Sequence, residues 1–440
     1  MSLKRAWRAA MVAGAVCSAG LAASAAAAAS TTVAWGTTTS APAGTLADRL
    51  GVAASSSSDV LAVGGFNPGE SPTSVLTRPY AEHWSGSGWT ATTVPLASVY
   101  SLQAAQLNGV AEVAAGDGWA VGTVSDPSSL ASQTLAYHWN GSTWQRVPTP
   151  DPAGPAQGNE LAAVAARASN DVWAAGGDGG YPEASLVLHW NGSAWARVQV
   201  PSIGALDAVT VTSASLWVAG GNKVEQFNGS AWTSLPALPG GVSIAGLAHT
   251  AAGLWAVGDG SFSCGEGGSC TSSYAALWNG SAWTTVPSGG GTELSGVVAA
   301  GSAVLAAGGT GVWQLSTTAG TPQVTPTQNP PQLTAIGADP AGHPWAVGSA
   351  SSAPAIINAP GIGQGGILVD SGAANATITW TGPATGTGTT AVNGTFATGG
   401  LPDGRYTVTT GLSGCQPGVA TAKVTAGQVT PVTAKVVCPP

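Results

Sequence analysis

Charge is what this chain has least of. Only 7% of its 440 residues are Asp, Glu, Lys or Arg, and 12 basic side chains face 20 acidic ones. A surface so poor in cations neutralises few phosphates, which argues against nucleic acid and anionic membrane as partners. Solubility must then rest on Ser, Thr, Asn and Gly. No uninterrupted amphipathic helical stretch survives between the Gly and Pro breaks, so helix is expected to be nearly absent. Beyond the first 30 residues no apolar run is long enough to span a bilayer. The signatures of common catalysts are missing too: no G-x-S-x-G elbow, no H-E-x-x-H, no phosphate-binding loop and no C-x-x-C.

The first 30 residues are read as a signal peptide. Lys4, Arg5 and Arg8 precede an apolar stretch over 9–21 and a small-residue run over 22–29. Cleavage near Ala29 would remove Cys17, leave nine Lys/Arg, and deliver a secreted protein with no membrane span. Four cysteines then remain, an even number in an exported chain, and local pairing would join Cys264 to Cys270 and Cys415 to Cys438. A C-x5-C spacing without a nearby His is poor for zinc, so neither metal nor cofactor is expected.

What the chain does have is tryptophan, 18 of them, and glycine, 64, arranged in repeats. HWSGSGW (83–89), HWNGSTW (138–144), HWNGSAW (189–195), QFNGSAW (226–232) and LWNGSAW (277–283) are variants of one phrase. Each is preceded by LAVG (61–64), WAVG (119–122), WAAG (173–176), WVAG (217–220) or WAVG (255–258); LAAG (305–308) and WAVG (345–348) follow. Seven copies at this spacing predict stacked supersecondary units. The stretch 160–201 shows one unit: LAAVAA, a Ser-Asn-Asp turn, VWAAGG, a variable loop, ASLVLHW, an NGS turn and AWARVQVP. Four short strands in an antiparallel meander make a propeller blade. The fold expected is therefore all-β, a seven-bladed propeller over 31–360 (six blades being the alternative). Trp173, Trp195 and their cognates would fill the wedges between blades.

Blade seven lacks its outer strand. VAWGTTTSAP (33–42) resembles SAWTTVPS (281–288) and has no partner strands before it. Strand 31–42 is expected to close the ring by joining the last blade, which removes an exposed edge. Blade six is the weakest unit, its fourth strand near 323–327 having lost the Trp.

The hydrophobic strand, glycine pair, aromatic and spaced Trp of VWAAGG (172–177), His189, Trp190 and Trp195 resemble kelch repeats. His-Trp-Asn-Gly stands where kelch strands usually carry Tyr-Asp. The chain also looks like the broad group of secreted bacterial propellers with Trp-rich repeats. That resemblance implies a fold and leaves function open, since such propellers include binding modules, scaffolds and enzymes. After a Gly-rich hinge (361–366) the repeat stops. Alternating strands over 361–440 predict a small β-sandwich, Ig-like or prealbumin-like. The run 394–408 resembles carboxypeptidase-regulatory or collagen-adhesin B-type sandwiches, which implies Phe396, Leu401 and Tyr406 in a core and a spacer or adhesion accessory role.

Candidate chemistry is sparse. His83, His138 and His189 share one repeat position; lying in different blades, they cannot converge on one metal and are read as structural. Asp48, Gln106, Glu160, Glu293 and Gln332 begin the innermost strands and should ring one mouth of the channel. They are the candidate ligand-binding residues, with Glu160, Glu293 and Asp48 the weak candidates for acid/base catalysis. The variable loops 65–78, 95–104, 123–134, 149–159 and 259–273 fall on that same face, where recognition usually sits. The function expected is a secreted, monomeric, non-enzymatic binding or scaffold protein contacting an extracellular protein or glycan there. The alternative is a secreted carbohydrate-active hydrolase or lyase using the mouth carboxylates.

Overall fold

The computed structural model describes residues 36–38 and 46–439 except 68–76, 87, 98, 100–102, 130, 155, 180–182, 264–268, 287–292, 302, 310, 317–320, 325–331, 351–352, 359–364, 384, 391–393, 402–403 and 425–428. The residues read as a signal peptide, Cys17 and Cys264 lie outside that set. The described residues are all-β, and the architecture is a β-propeller followed by two further sheets.

The repeats fold as four-stranded antiparallel units whose strands hydrogen-bond in chain order. Blade 1 comprises Leu46–Ser56, Asp59–Asn67, Arg78–Trp84 and Trp89–Thr92. Blade 2 comprises Ala104–Ala114, Asp117–Ser125, Ser132–Trp139 and Trp144–Arg146; blade 3, Gly158–Ala168, Asp171–Gly179, Ala184–Trp190 and Trp195–Val198. Blade 4 comprises Ala208–Val211, Leu216–Gly220, Lys223–Phe227 and Trp232–Ser234; blade 5, Val242–Thr250, Gly253–Ser263, Ser269–Trp278 and Trp283–Val286. Blade 6 comprises Gly296–Ala300, Ala303–Gly308, Gly311–Leu315 and Thr321–Val324. The last unit takes Gln332–Ala338, Pro344–Ala350 and Ala353–Asn358 from one end of the repeat region and Gly36–Thr38 from the other, with Gly36 opposite Asn358 and Thr38 opposite Ile356. First strands of successive blades touch one another around the ring, and that of the last blade returns to that of the first.

The glycine that ends each W/LAVG phrase has a steric cause. The first strand bulges where it passes it, with register shifts at Leu107/Gly109, Leu161/Ala163, Ile244/Gly246 and Leu333/Ala335. A Cβ on Gly122, Gly176, Gly258, Gly308 or Gly348 would overlap the carbonyl oxygen of Gln106, Glu160, Ser243, Glu293 or Gln332. Only glycine lets the two backbones approach this closely. The outward carbonyls beside this contact then serve the next blade. Gly176 O accepts from Leu206 N at 3.0 Å, Gly258 O from Leu294 N at 3.1 Å, and Gly221 O and Gly309 O from Ile244 N and Leu333 N, both at 2.7 Å.

Tryptophans fill the wedges. The aromatic or leucine opening the phrase of one blade packs on the hairpin of the blade after it. Trp345 meets Trp84 and Trp89 at 5.7 and 5.8 Å between ring centroids, and Trp119 meets Trp190 and Trp195 at 4.8 and 5.3 Å. Trp173 meets Phe227 at 6.0 Å, while Leu61 shares a core with Trp139 and Trp144, and Trp255 with Trp313. The indole N–H groups of Trp119, Trp139, Trp195 and Trp345 find no acceptor, so packing alone places these rings.

After the ring, Thr395–Leu401, Gly365–Asp370 and Val429–Thr433 form one sheet, and Gly386–Thr389, Thr377–Thr381, Gly404–Gly411 and Gly418–Val424 another. Ile367, Val369, Ile378, Leu401, Tyr406 and Val408 are buried together, with Phe396 packed against them. Cys415 and Cys438 are disulfide-bonded. Cys270 is also disulfide-bonded.

Two measurements test this account of the ring. Trp255→Ala, which empties a wedge, should cost about 3–5 kcal/mol by chemical denaturation. Deleting residues 31–42 strips the outer strand from Ala353–Asn358 and should lower the thermal midpoint and promote aggregation; an unchanged midpoint would show the closing strand to be dispensable.

Candidate functional site

The connections sort into two kinds. On one face, first and second strands are joined by the short turns 57–58, 115–116, 169–170 and 251–252, and third and fourth strands by 140–143, 191–194, 228–231 and 279–282. These last four all carry Asn and are four-residue turns, longer than the tight hairpin that Asn-Gly suggests, because the Asn side chain closes them. Asn191 Oδ1 accepts the Ser193 and Ala194 N–H groups at 2.9 and 3.0 Å, and Asn140, Asn228 and Asn279 do the same in their turns. The glycine between sits at φ of 89 to 96°.

The other face carries the long, unlike connections, among them 93–103, 126–131, 147–157 and 199–207. The one joining blades 2 and 3 is built around Asn159, which is fully buried. Its Nδ2 donates to Gly154 O at 2.9 Å and Ser132 O at 3.3 Å, and its Oδ1 accepts from Ala153 N at 3.1 Å. Asp151 Oδ1 accepts the Thr134 N–H at 2.7 Å and its hydroxyl at 3.0 Å. Burial pushes the Asp151 carboxyl above the usual range against those hydrogen bonds. This loop is thus pre-ordered by buried polar contacts rather than by a sheet.

The residues singled out at the channel mouth occupy one register position. Asp48 lies opposite Gly65, Gln106 opposite Thr123, Glu160 opposite Gly177 and Gln332 opposite Ser349. Glu293 joins them through its carbonyl at Gly308, and Ala205 and Ser243 hold the place in blades 4 and 5. Gln106 and Gln332 are exposed; Glu160 and Glu293 are half-buried. The carboxylates belong to blades 1, 3 and 6, which are not neighbours in the ring. Among the described residues no three His, Cys, Asp or Glu side chains converge in metal-binding geometry.

The repeated histidines serve the opposite face. Each reaches an Asp that opens the second strand of its own blade: His83 to Asp59 at 2.5 Å, His138 to Asp117 at 2.7 Å and His189 to Asp171 at 2.9 Å. The Trp173 N–H donates to Asp171 at 2.6 Å, and its ring stacks on His189 at 4.1 Å. Burial opposes ionisation of Asp171, yet hydrogen bonds from Arg167, His189 and Trp173 outweigh it and hold its carboxyl below the usual range. Sequence reasoning missed these partners. The signal was an Asp two residues before each of the first three W/LAVG phrases. The Ser169 hydroxyl carries the network across a seam to Asp117.

No family model matches this chain, and no curated protein matches it. Solved structures do. One described as YCF48 bound to D1 peptide shares 14% identity over 74% of this chain and 96% of that one, with a TM-score of 0.47. The structure of U3-55K shares 11% over 74% and 98%, TM-score 0.49, and the RRP9 WD40 repeats 12% over 74% and 97%, TM-score 0.47.

If the Asp171 network holds blade 3 together, Asp171→Asn should cost about 1–3 kcal/mol at neutral pH, the usual penalty for disrupting partly buried charge-assisted bonds. Because the folded-state carboxyl is depressed, its stabilisation is present above the unfolded pKa of roughly 4 and is lost as pH falls further. The two proteins' stabilities should therefore converge below about pH 4 in pH-resolved denaturation.

Proposed function

We propose that this is an exported, non-enzymatic binding or scaffold protein: a leader over 1–30, a kelch-like propeller over 31–360, and a sandwich spacer over 361–440, recognising a protein or glycan through the long-loop face. The observation that carries this reading is the contrast between the two faces. One repeats the same Asn-closed turns; the other varies from blade to blade and is pre-ordered where blades 2 and 3 meet by the buried Asn159. Pre-ordered, unlike loops on a rigid ring lower the entropic cost of binding. The exposed Gln106 and Gln332 and the half-buried Glu160 and Glu293 would supply polar contacts at the centre of that face.

The test uses the mature protein on a glycan array and in pull-downs from extracellular protein. Replacing 126–131 and 151–157 with minimal turns should abolish binding, whereas Trp255→Ala should lower stability and leave binding affinity within about twofold, being remote from that surface. Binding that survives both loop replacements would place recognition elsewhere. Turnover of a glycan, abolished by Glu160→Gln, would instead make the protein a carbohydrate-active enzyme.

A further inference from the structure

The repeat acts as its own control. One position near the end of each first strand faces the residue before the phrase: Ala54 opposite Val60, Ala166 opposite Val172, Val211 opposite Leu216, Ala299 opposite Val304 and Ala338 opposite Pro344. The fold asks there only for a small apolar side chain. Two blades depart from this with titratable groups, Glu112 in blade 2 and His249 in blade 5. His249 stacks on Trp217 of the preceding blade. Glu112 meets something different.

Its Oε2 accepts the Ser55 N–H of blade 1 at 2.9 Å. Its Oε1 is buried and no N–H or O–H donor reaches it. Within hydrogen-bonding reach of it is Asp59 of blade 1, whose Oδ2 also accepts the Ser55 hydroxyl at 2.7 Å and whose Oδ1 meets His83 Nε2 at 2.5 Å. His83 in turn lies against the Trp139 ring of blade 2 at 5.5 Å. The titratable groups at this seam are therefore Asp59, His83 and Glu112, from the second and third strands of blade 1 and the first strand of blade 2. Two carboxyls confront each other across it, and the orphaned oxygen is satisfied when it carries a proton and donates it to Asp59.

We propose that the seam between blades 1 and 2 is a proton-operated joint, closed while Glu112 holds a proton it shares with Asp59 and loosened when that proton is lost to solvent. Burial first, and the Asp59 charge second, push the Glu112 carboxyl up to about 9. Burial opposes ionisation of Asp59 as well, but hydrogen bonds from His83, Ser55 and Glu112 hold it below the usual range. One proton thus serves both carboxyls, and it rests on Glu112. The sign follows. A folded-state pKa raised above the unfolded value gives stability that is full below about pH 4.5 and declines as pH rises to about 9. Neither Ala54 nor Ala166, at the same register, brings any such dependence to its own seam.

Hydrogen exchange followed by mass spectrometry, corrected for base-catalysed intrinsic exchange, tests this on the full chain. Between pH 6 and 8, protection of 46–56 and 104–114 should fall by about tenfold or more, since a fully linked proton changes the equilibrium tenfold per pH unit. Strands 208–211 should not follow. Glu112→Gln, which keeps the shape and supplies the missing donor permanently, should abolish the pH dependence. An equal slope in Glu112→Gln, or no slope in the native protein, overturns the proposal. Should the variant fail to fold, infrared titration of the native protein decides. A protonated-carboxyl band at pH 7 that bleaches towards pH 9 is expected, and its absence refutes the joint.

Discussion

The close approach of two backbones at each phrase-ending glycine is the constraint on which the ring depends. A carbonyl at or just before the start of the first strand lies where a Cβ would otherwise be. The phrase-ending glycine's own carbonyl in blades 3 and 5, and that of the glycine just after it in blades 4 and 6, accepts an N–H from the blade that follows. Blade-to-blade cohesion near the channel is therefore a main-chain matter, which explains why the side chains of the first strands can be as small as alanine. Farther out, where blades diverge, main-chain contact is no longer possible and volume must be supplied. There the indoles take over, each from one blade wedged on the hairpin of the next.

The same division of labour accounts for the weaker units. Blade 1 opens its phrase with Leu61 rather than tryptophan, and the neighbouring hairpin still supplies Trp139 and Trp144 to fill the wedge. Blade 6 has no hairpin pair of indoles; Trp313 and Leu315 on its third strand meet Trp255 instead. A repeat fold tolerates such trades because each seam needs a filled volume, not a particular donor of it.

Polar groups enter this apolar scheme beside the short turns as well as in the loop that joins blades 2 and 3. The Asp–His pairs of blades 1 to 3 tie third strand to second, and Ser169 and Glu112 carry the network across seams. The propeller so presents one face stiffened by repeated hydrogen bonds and one shaped by loops of unequal length.

Much of this was legible in the residues. The recurrence of W/LAVG and HWNGSAW is periodic because every blade solves the same packing problem, so the all-β meander, the wedge tryptophans and the glycine pairs could be read directly. The kinship of 33–42 with 281–288 was legible for the same reason. The five mouth residues share a register because counting within a repeat carries over to three dimensions. The rest depended on which side chains meet across paired strands and across the seams between blades. Asp171 and His189 lie 18 residues apart in sequence, yet meet because antiparallel pairing of Val172 with Trp190 brings their strands into register. Asn159 looks like an unremarkable polar residue before a strand until the loop closes over it. Nothing in the repeat pattern singles out Glu112; only the seam shows that its Oε1 is buried beside a second carboxyl, because burial is a property of the neighbouring blade and not of the strand that carries it.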